Sequence, residues 1–180
     1  MTNQKLAKQY QKKSDREHIL DAPDTYIGSV DSSETFGWIY HDESTNPRVT
    51  FKKFDWVPGL YKLFDEGVVN CRDHVIRMIQ RKESGYKKTK QVTYIHVNID
   101  DDGTIHMVND GNGIDIAEHP EYKVWIPELI FGHLRTSTNY DKTEKKIVGG
   151  KNGFGFKLVL IWSTWGKVET VDHTRKLKYT

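Results

Sequence analysis

A change in hydrophobic period along the chain constrains its fold more than any other feature. From Pro58 the apolar residues recur at spacings of three and four, which is typical of an amphipathic helix; they are Leu60, Phe64, Val68, Cys71, Val75 and Met78. The pattern then changes to alternation over residues 92–98 and 104–109, with an Asp-Gly turn between them. The sequence therefore predicts a core-facing helix followed by a β-hairpin.

The remaining elements predict an α+β fold. A short helix is expected over Pro127–Leu134, a second over Phe156–Ile161, and a strand over Val168–Asp172 that pairs with Lys176–Tyr179. Strands and helices are segregated, which favours a two-layer sandwich with helices on one face of a mixed, mainly antiparallel sheet. Residues 1–30 form a polar arm without a continuous apolar face, and we expect the arm to need another surface to become ordered.

Composition excludes several classes of protein. A chain of 180 residues is long enough for one domain with a core of its own, and its longest apolar run, five residues at Leu158–Trp162, cannot cross a bilayer. The polar N-terminus lacks the apolar stretch of a secretory signal, which predicts an intracellular protein. A single cysteine excludes an internal disulfide and a thiolate zinc cluster. With 27 basic and 25 acidic residues, bulk charge does not indicate nucleic-acid binding, and the basic cluster at 81–90 is interpreted first as a solvated loop.

One polar stripe on the first helix is a candidate site. Glu66, Asn70 and Asp73 follow the i, i+4, i+7 rule and project from the same face. Such stripes are usually hydrated outer faces. Glu66, however, stands between Phe64 and Val68, where a carboxylate is costly unless it has a partner or a function. Both interpretations are open from the sequence.

Two glycine-containing segments are further candidates. Four glycines within Gly149–Lys157 precede a helix, and the free N–H groups and positive dipole at a helix start, with the charge of Lys157, would suit a phosphate. The segment lacks the Walker pattern, and a glycine cluster can equally be a mobile loop. Asp110-Gly-Asn-Gly113 is either an ordinary turn or a carboxylate placed to accept from the amine of adenine, with glycines leaving room for a flat ring.

Taken in order, these three signals resemble the GHKL ATPases, and within them the ATPase region of the eukaryotic-type (type IIA) DNA topoisomerases. The similar blocks cover about nine-tenths of the chain and are Tyr10-Gln-Lys-Lys13, Glu17-His-Ile-Leu20, residues 23–30, Val57-Pro-Gly-Leu60, Phe64-Asp-Glu66, Asn109-Asp-Gly111, Ile130-Phe-Gly-His-Leu134, Thr136-Ser-Thr-Asn-Tyr140, residues 149–155 and Ile161-Trp-Ser-Thr164.

The resemblance implies an enzyme part in which ATP binding closes a dimeric gate around a DNA segment. Glu66 would be the general base and Asn70 would ligate Mg²⁺. Asn109 and Asp110 would face the adenine, and Tyr10 would reach the partner's nucleotide. The other implied nucleotide contacts are Asp73, Gly113, Ser137, Thr138, Asn139, Gly150, Lys151, Asn152, Gly153, Phe154, Gly155, Phe156 and Lys157.

The resemblance also predicts an organisation. Residues 1–30 would be the arm through which a homodimer forms on ATP binding, and residues 31–180 a GHKL domain incomplete at its C-terminus, without the transducer, cleavage and DNA-gate modules of the complete, DNA-acting enzyme. The chain would be a fragment or a stand-alone subunit with slow hydrolysis, acting in a nucleus, a cytoplasm or a viral replication compartment. The alternatives are an ATP-dependent clamp with little turnover and another GHKL ATPase. Gly67, His74, Lys151 and Phe156 depart from the family pattern.

Overall fold

The computed structural model describes residues 5–6, 9–42, 48–136 and 153–180. The chain divides into two compact units, residues 1–62 and residues 63–180. In the part of the chain that is described, no helix has the length and apolarity needed to cross a membrane. The predicted functional division at residue 30 stays a prediction.

The described part of the first unit includes two short helices after residue 14 and a hairpin. Helices α1 (Asp15–Asp21) and α2 (Pro23–Tyr26) precede strands β1 (Ser33–His41) and β2 (Arg48–Trp56), which pair antiparallel with Trp38 opposite Phe51. Ser14 begins α1 because its side chain accepts from the Glu17 N–H, while the Glu17 carboxylate accepts from the Ser14 N–H at 2.8 Å. Ile19 and Ile27 are buried. The expectation that the arm needs another surface to become ordered stays a prediction.

The long helix α3 (Pro58–Glu83) confirms the helical pattern from Pro58. Cys71 and Met78 of the predicted stripe are buried, and burial raises the pKa of the Cys71 thiol. Leu60, by contrast, is 61% exposed. In the first turn of α3, the Gly59 N–H donates to the Ser29 carbonyl at 2.8 Å. Leu60 is the next residue, about 100° further around the helix, and therefore lies on a different face from this contact.

The described part of the second unit includes, besides α3, the two predicted hairpins and two more helices. Strand β3 (Ile95–Ile99) pairs antiparallel with β4 (Ile105–Asn109), and β5 (Thr170–Asp172) with β6 (Leu177–Tyr179). Helices α4 (Ile126–Gly132) and α5 (Gly155–Trp162) lie near their predicted positions. Two tryptophans, Trp38 in the first unit and Trp165 in the second, are 70% and 67% exposed.

Candidate functional site

The polar stripe of α3 meets the start of α5. A Cβ atom built on Gly155, the first residue of α5, would lie 3.1 Å from Oε2 of Glu66 and 3.9 Å from Nδ2 of Asn70. Asn70 donates from Nδ2 to the Glu66 carbonyl at 2.7 Å, so its side-chain oxygen is the atom that can ligate a metal. The structure thus brings a carboxylate, a carboxamide and a helix N-terminus together.

The acidic turn after β4 is tied to α3 as well. His74, one helical turn beyond Asn70, donates from Nε2 to the Asn112 carbonyl at 2.6 Å. Burial lowers the pKa of His74, and although this hydrogen bond opposes the shift, the ring favours the neutral form. Asn112 is itself buried and accepts at Oδ1 from the Lys90 N–H at 2.6 Å. His74, at the position where the sequence departs from the family pattern, therefore joins the helix to this turn.

The carboxylate of Asp110 is bound to the segment that leads into β3. Its Oδ1 accepts from the Thr93 and Tyr94 N–H groups at 2.6 and 3.2 Å, and its Oδ2 accepts from the Thr93 hydroxyl at 2.6 Å. These bonds, led by the Thr93 hydroxyl, lower the pKa of Asp110 and keep it ionised. Asn109 donates to the Asp110 carbonyl at 2.9 Å. A contact of either residue with adenine stays a prediction.

Glycine at position 113 has a packing explanation. A Cβ atom there would overlap the Val171 carbonyl of β5 and lie 2.8 Å from the Thr170 hydroxyl. The Ile114 N–H donates to that hydroxyl at 2.9 Å, which holds the turn against β5. β5 thus occupies the space on the side-chain side of Gly113, and a nucleotide contact at Gly113 stays a prediction.

Lys157 of α5 is buried beside the helix start. Its ammonium group donates to the carbonyls of Thr136 and Gly153, both at 2.7 Å, and burial lowers its pKa to about 8. The Thr136 hydroxyl in turn donates to the Leu129 carbonyl of α4 at 2.7 Å. Lys157 therefore links α4 to the glycine-rich segment that includes Gly153 and Phe154.

Gly67 lies directly behind the site, next to Glu66. A Cβ atom on Gly67 would overlap the sulfur of Met107 and lie 2.8 Å from its Cε and 3.6 Å from Cε2 of Phe156. Phe156 also contacts Phe131 edge to face, with ring centroids 5.8 Å apart. The two departures Gly67 and Phe156 are therefore neighbours, and the absence of a side chain at 67 makes room for the larger rings and thioether.

Sequence reasoning missed Arg77, although it stands one turn after Asp73. Asp73 is 3% exposed, and the Nε atom of Arg77 is buried and has no hydrogen-bond partner among the residues that the structure describes. Burial lowers the pKa of Arg77, which the charge of Asp73 opposes. The i, i+4 spacing from Asp73 was the signal available in the sequence.

Several predicted residues fall outside the described part of the chain or in the first unit. Ser137, Thr138, Asn139, Gly150, Lys151 and Asn152 lie outside the described residues. Tyr10 belongs to the first unit and is 75% exposed. Its predicted contact with a partner's nucleotide stays a prediction.

Comparisons with known proteins give a consistent result. No protein-family model matches the chain. The chain is 44% identical over 177 residues to DNA topoisomerase 2 of Acanthamoeba polyphaga mimivirus, and 47% identical over 171 residues to DNA topoisomerase 2 of Saccharomyces cerevisiae. These matches cover 97% and 94% of this chain but only 13% and 11% of the two relatives.

A solved structure agrees in fold. The crystal structure of the ATPase region of Saccharomyces cerevisiae topoisomerase II matches with a TM-score of 0.83 and 44% identity, over 97% of this chain and 43% of that one. This match confirms the predicted α+β class and the GHKL fold. By sequence and by fold, the chain corresponds to part of the ATPase region of the eukaryotic-type DNA topoisomerase II family.

Proposed function

We propose that this chain binds and hydrolyses ATP, and that in a complete type II topoisomerase it couples the nucleotide to closure of a dimeric gate for passage of double-stranded DNA. The observation that carries the proposal is the approach of Glu66 and Asn70 to Gly155 at the start of α5. A helix start offers N–H groups and a positive partial charge to phosphates. A carboxylate beside it is placed to act on a water near those phosphates.

Glu66 is the proposed general base. Phosphoryl transfer needs little covalent help from the protein, and its catalysis consists mostly of positioning and charge stabilisation. Glu66 would orient the attacking water and accept its proton, while the first N–H groups of α5 would stabilise the charge on the phosphates. Gly67 and Phe156 pack behind these groups and hold the two helices in register.

The residues present suit Mg²⁺ held jointly with ATP. Magnesium commonly binds through one or two protein oxygens plus substrate phosphates. Among the described residues no group of three His, Cys, Asp or Glu side chains could hold a metal alone, which makes the Asn70 oxygen with phosphate oxygens the better candidate set. When bound, the ion would neutralise charge on the triphosphate. Arg77, which is buried beside Asp73, would add a positive charge on α3, the helix that also carries Asn70.

A second copy of the chain is the proposed partner on ATP binding. Five large apolar side chains stand exposed on one face of the β1–β2 hairpin: Phe36, Trp38, Tyr40, Val49 and Phe51. An exposed apolar patch of this kind marks an interaction surface. The exposed Tyr10 would then contact the other protomer, as expected for an arm through which a homodimer forms. Passage of double-stranded DNA belongs to the complete enzyme, of which this chain spans a small part.

Glu66→Gln tests the proposal. We expect nucleotide binding to persist while phosphate release falls by about 10²- to 10⁴-fold, because the variant keeps the size and polarity of the side chain but cannot accept a proton. The matched control is Glu121→Gln, which changes an exposed glutamate and should leave the rate unchanged. Binding would be followed by titration with a fluorescent ATP analogue, and turnover by phosphate release.

The same experiment separates the alternatives. If wild type and Glu66→Gln bind nucleotide and release phosphate at the same slow rate, the chain is an ATP-dependent clamp rather than a hydrolase. If neither protein binds nucleotide, the proposed site itself is wrong.

A further inference from the structure

Two basic segments that are distant in sequence line one cleft in the second unit. The cleft has a volume of about 280 Å³ and is lined by Arg81, Tyr86, Lys87, Lys88, Thr89 and Thr174. His173 contributes the connection, because its Nε2 lies 3.0 Å from the Lys88 carbonyl, across 85 residues of sequence. The loop after α3 and the turn between β5 and β6 therefore form a single surface, which we call the basic cleft.

The loop that carries the lysines is held by its own hydrogen bonds. At the end of α3 the N–H groups of Gly85 and Tyr86 donate to the carbonyls of Lys82 and Arg81 at 3.0 and 3.3 Å. Gly85 has φ of 83°, so this is a Schellman motif with glycine at its left-handed position. The Thr89 hydroxyl donates to the Tyr86 carbonyl at 2.9 Å. The loop thus presents Lys87 and Lys88 from a defined backbone.

The charge of the basic cleft is not neutralised within the described part of the chain. Lys87, Lys88 and Arg81 form no ion pair with a carboxylate there. The guanidinium carbon of Arg81 lies over the Tyr86 ring, 5.0 Å from its centroid. Arg175 on the neighbouring turn differs, because it is paired with Asp115 at 2.6 Å and Asp172 at 2.8 Å. The residues that line the cleft include three cations and no acid. A concave surface of one sign concentrates counter-ions of the other.

We propose that the basic cleft binds backbone phosphates of duplex DNA, with Lys87 and Lys88 each neutralising one phosphate. Lysine and arginine side chains bind such phosphates independently of sequence. The lysine, arginine and hydroxyl groups that line the cleft are among the side-chain groups that donate to backbone phosphates. The choice of duplex DNA among polyanions rests on the proposed function, whereas the cleft itself is separate from the α3–α5 site.

The test is the salt dependence of DNA binding by the full chain. The association constant for a labelled duplex of mixed sequence would be measured by fluorescence anisotropy over a range of potassium chloride concentrations. In Lys87→Ala/Lys88→Ala we expect the slope of log K against log[salt] to become shallower by about 2, because each lysine that neutralises a phosphate contributes close to one. Both side chains are exposed, so the variant should fold normally, which circular dichroism would check.

The matched control is Lys12→Ala/Lys52→Ala. It removes two exposed lysines of the other unit that form no ion pair among the described residues, and it changes the net charge equally. The proposal predicts a nearly unchanged slope for this control. Equal losses in both variants, or no salt-dependent binding by the wild type, would overturn it. Nucleotide binding, measured on the same preparations, distinguishes the two proposals. A wild-type protein that binds nucleotide but not DNA contradicts only the proposal for the basic cleft. A wild-type protein that binds DNA but not nucleotide contradicts only the proposed function.

Discussion

Gly67 shows how a single residue is determined by contacts that its local sequence does not reveal. In an exposed helix, alanine in place of glycine stabilises by about 1 kcal/mol. Gly67 is buried, and the Met107 thioether and the Phe156 ring occupy the space a side chain would need. Those contacts span 40 and 89 positions of sequence, so helical periodicity identified the helix but gave no reason for glycine within it.

We predict that Gly67→Ala leaves the free energy of unfolding nearly unchanged, because moving the Met107 thioether to admit the methyl group offsets the gain of about 1 kcal/mol in helix propensity. The free energy of unfolding would be measured by urea denaturation. In a Met107→Ala background the same substitution should instead stabilise by about 1 kcal/mol, since the obstructing thioether is gone and only helix propensity remains. A stabilising effect of Gly67→Ala in the wild-type background would contradict the packing described.

The elements differ in how far the sequence predicts them. The β3–β4 hairpin was predicted because alternation and an Asp-Gly turn agree, and α3 because its apolar spacing persists over five turns. The β1–β2 hairpin was not predicted. Its large apolar residues, including Phe36, Trp38 and Phe51, lie on the exposed face, so the rule that places apolar residues inside offers no guidance. The short helices of the arm were missed because their length provides little periodicity.

The β5–β6 turn supports a prediction about pH. Burial alone would raise the pKa of Asp172, but hydrogen bonds from the Arg175 N–H and guanidinium and from the Ile116 N–H lower it to about 2. Because the folded-state pKa is below the ordinary value near 4, the ionised carboxylate stabilises the fold above pH 4, and this contribution is lost as the pH falls toward 2.

Asp172→Asn should therefore lower the free energy of unfolding by about 1–3 kcal/mol at neutral pH, because asparagine keeps only one of the two oxygens with which the buried carboxylate accepts hydrogen bonds. The difference from wild type should shrink between about pH 4 and pH 2, as followed by denaturant unfolding. The exposed Asp101→Asn, on the β3–β4 turn, is the control. A difference that stays constant down to pH 2 would show that Asp172 is not ionised in the folded protein.

At the scale of the whole molecule, the sequence predicted which residues form the candidate site better than how they are connected. The i, i+4 spacing placed Glu66 and Asn70 on one face, and the glycines placed a helix start after residue 153. The connections made by His74 to Asn112 and by Gly155 to Glu66 are long-range, and no periodicity reports them. Arg77 was missed because an arginine on a long helix is usually exposed.

Assembly supports a prediction at this scale. We expect mass in solution to change from monomer to dimer when a non-hydrolysable ATP analogue and Mg²⁺ are added, as measured by light scattering. Trp38→Ala should weaken the nucleotide-dependent dimer, because it removes a 70% exposed indole from the apolar face of the β1–β2 hairpin. Trp165→Ala, which removes a 67% exposed indole from the other unit, is the control. A monomer under both conditions would contradict the proposed closure.

Amide hydrogen exchange with and without the ATP analogue and Mg²⁺ tests the central claim most directly, because it reports each segment separately. If the nucleotide binds where α3, the acidic turn and the start of α5 converge, exchange should slow together in residues 66–74, 109–113 and 153–158. The Glu66→Gln variant, which keeps binding, should show the same protection. Unchanged exchange in these three segments under saturating nucleotide, or protection confined to other parts of the chain, would contradict the account.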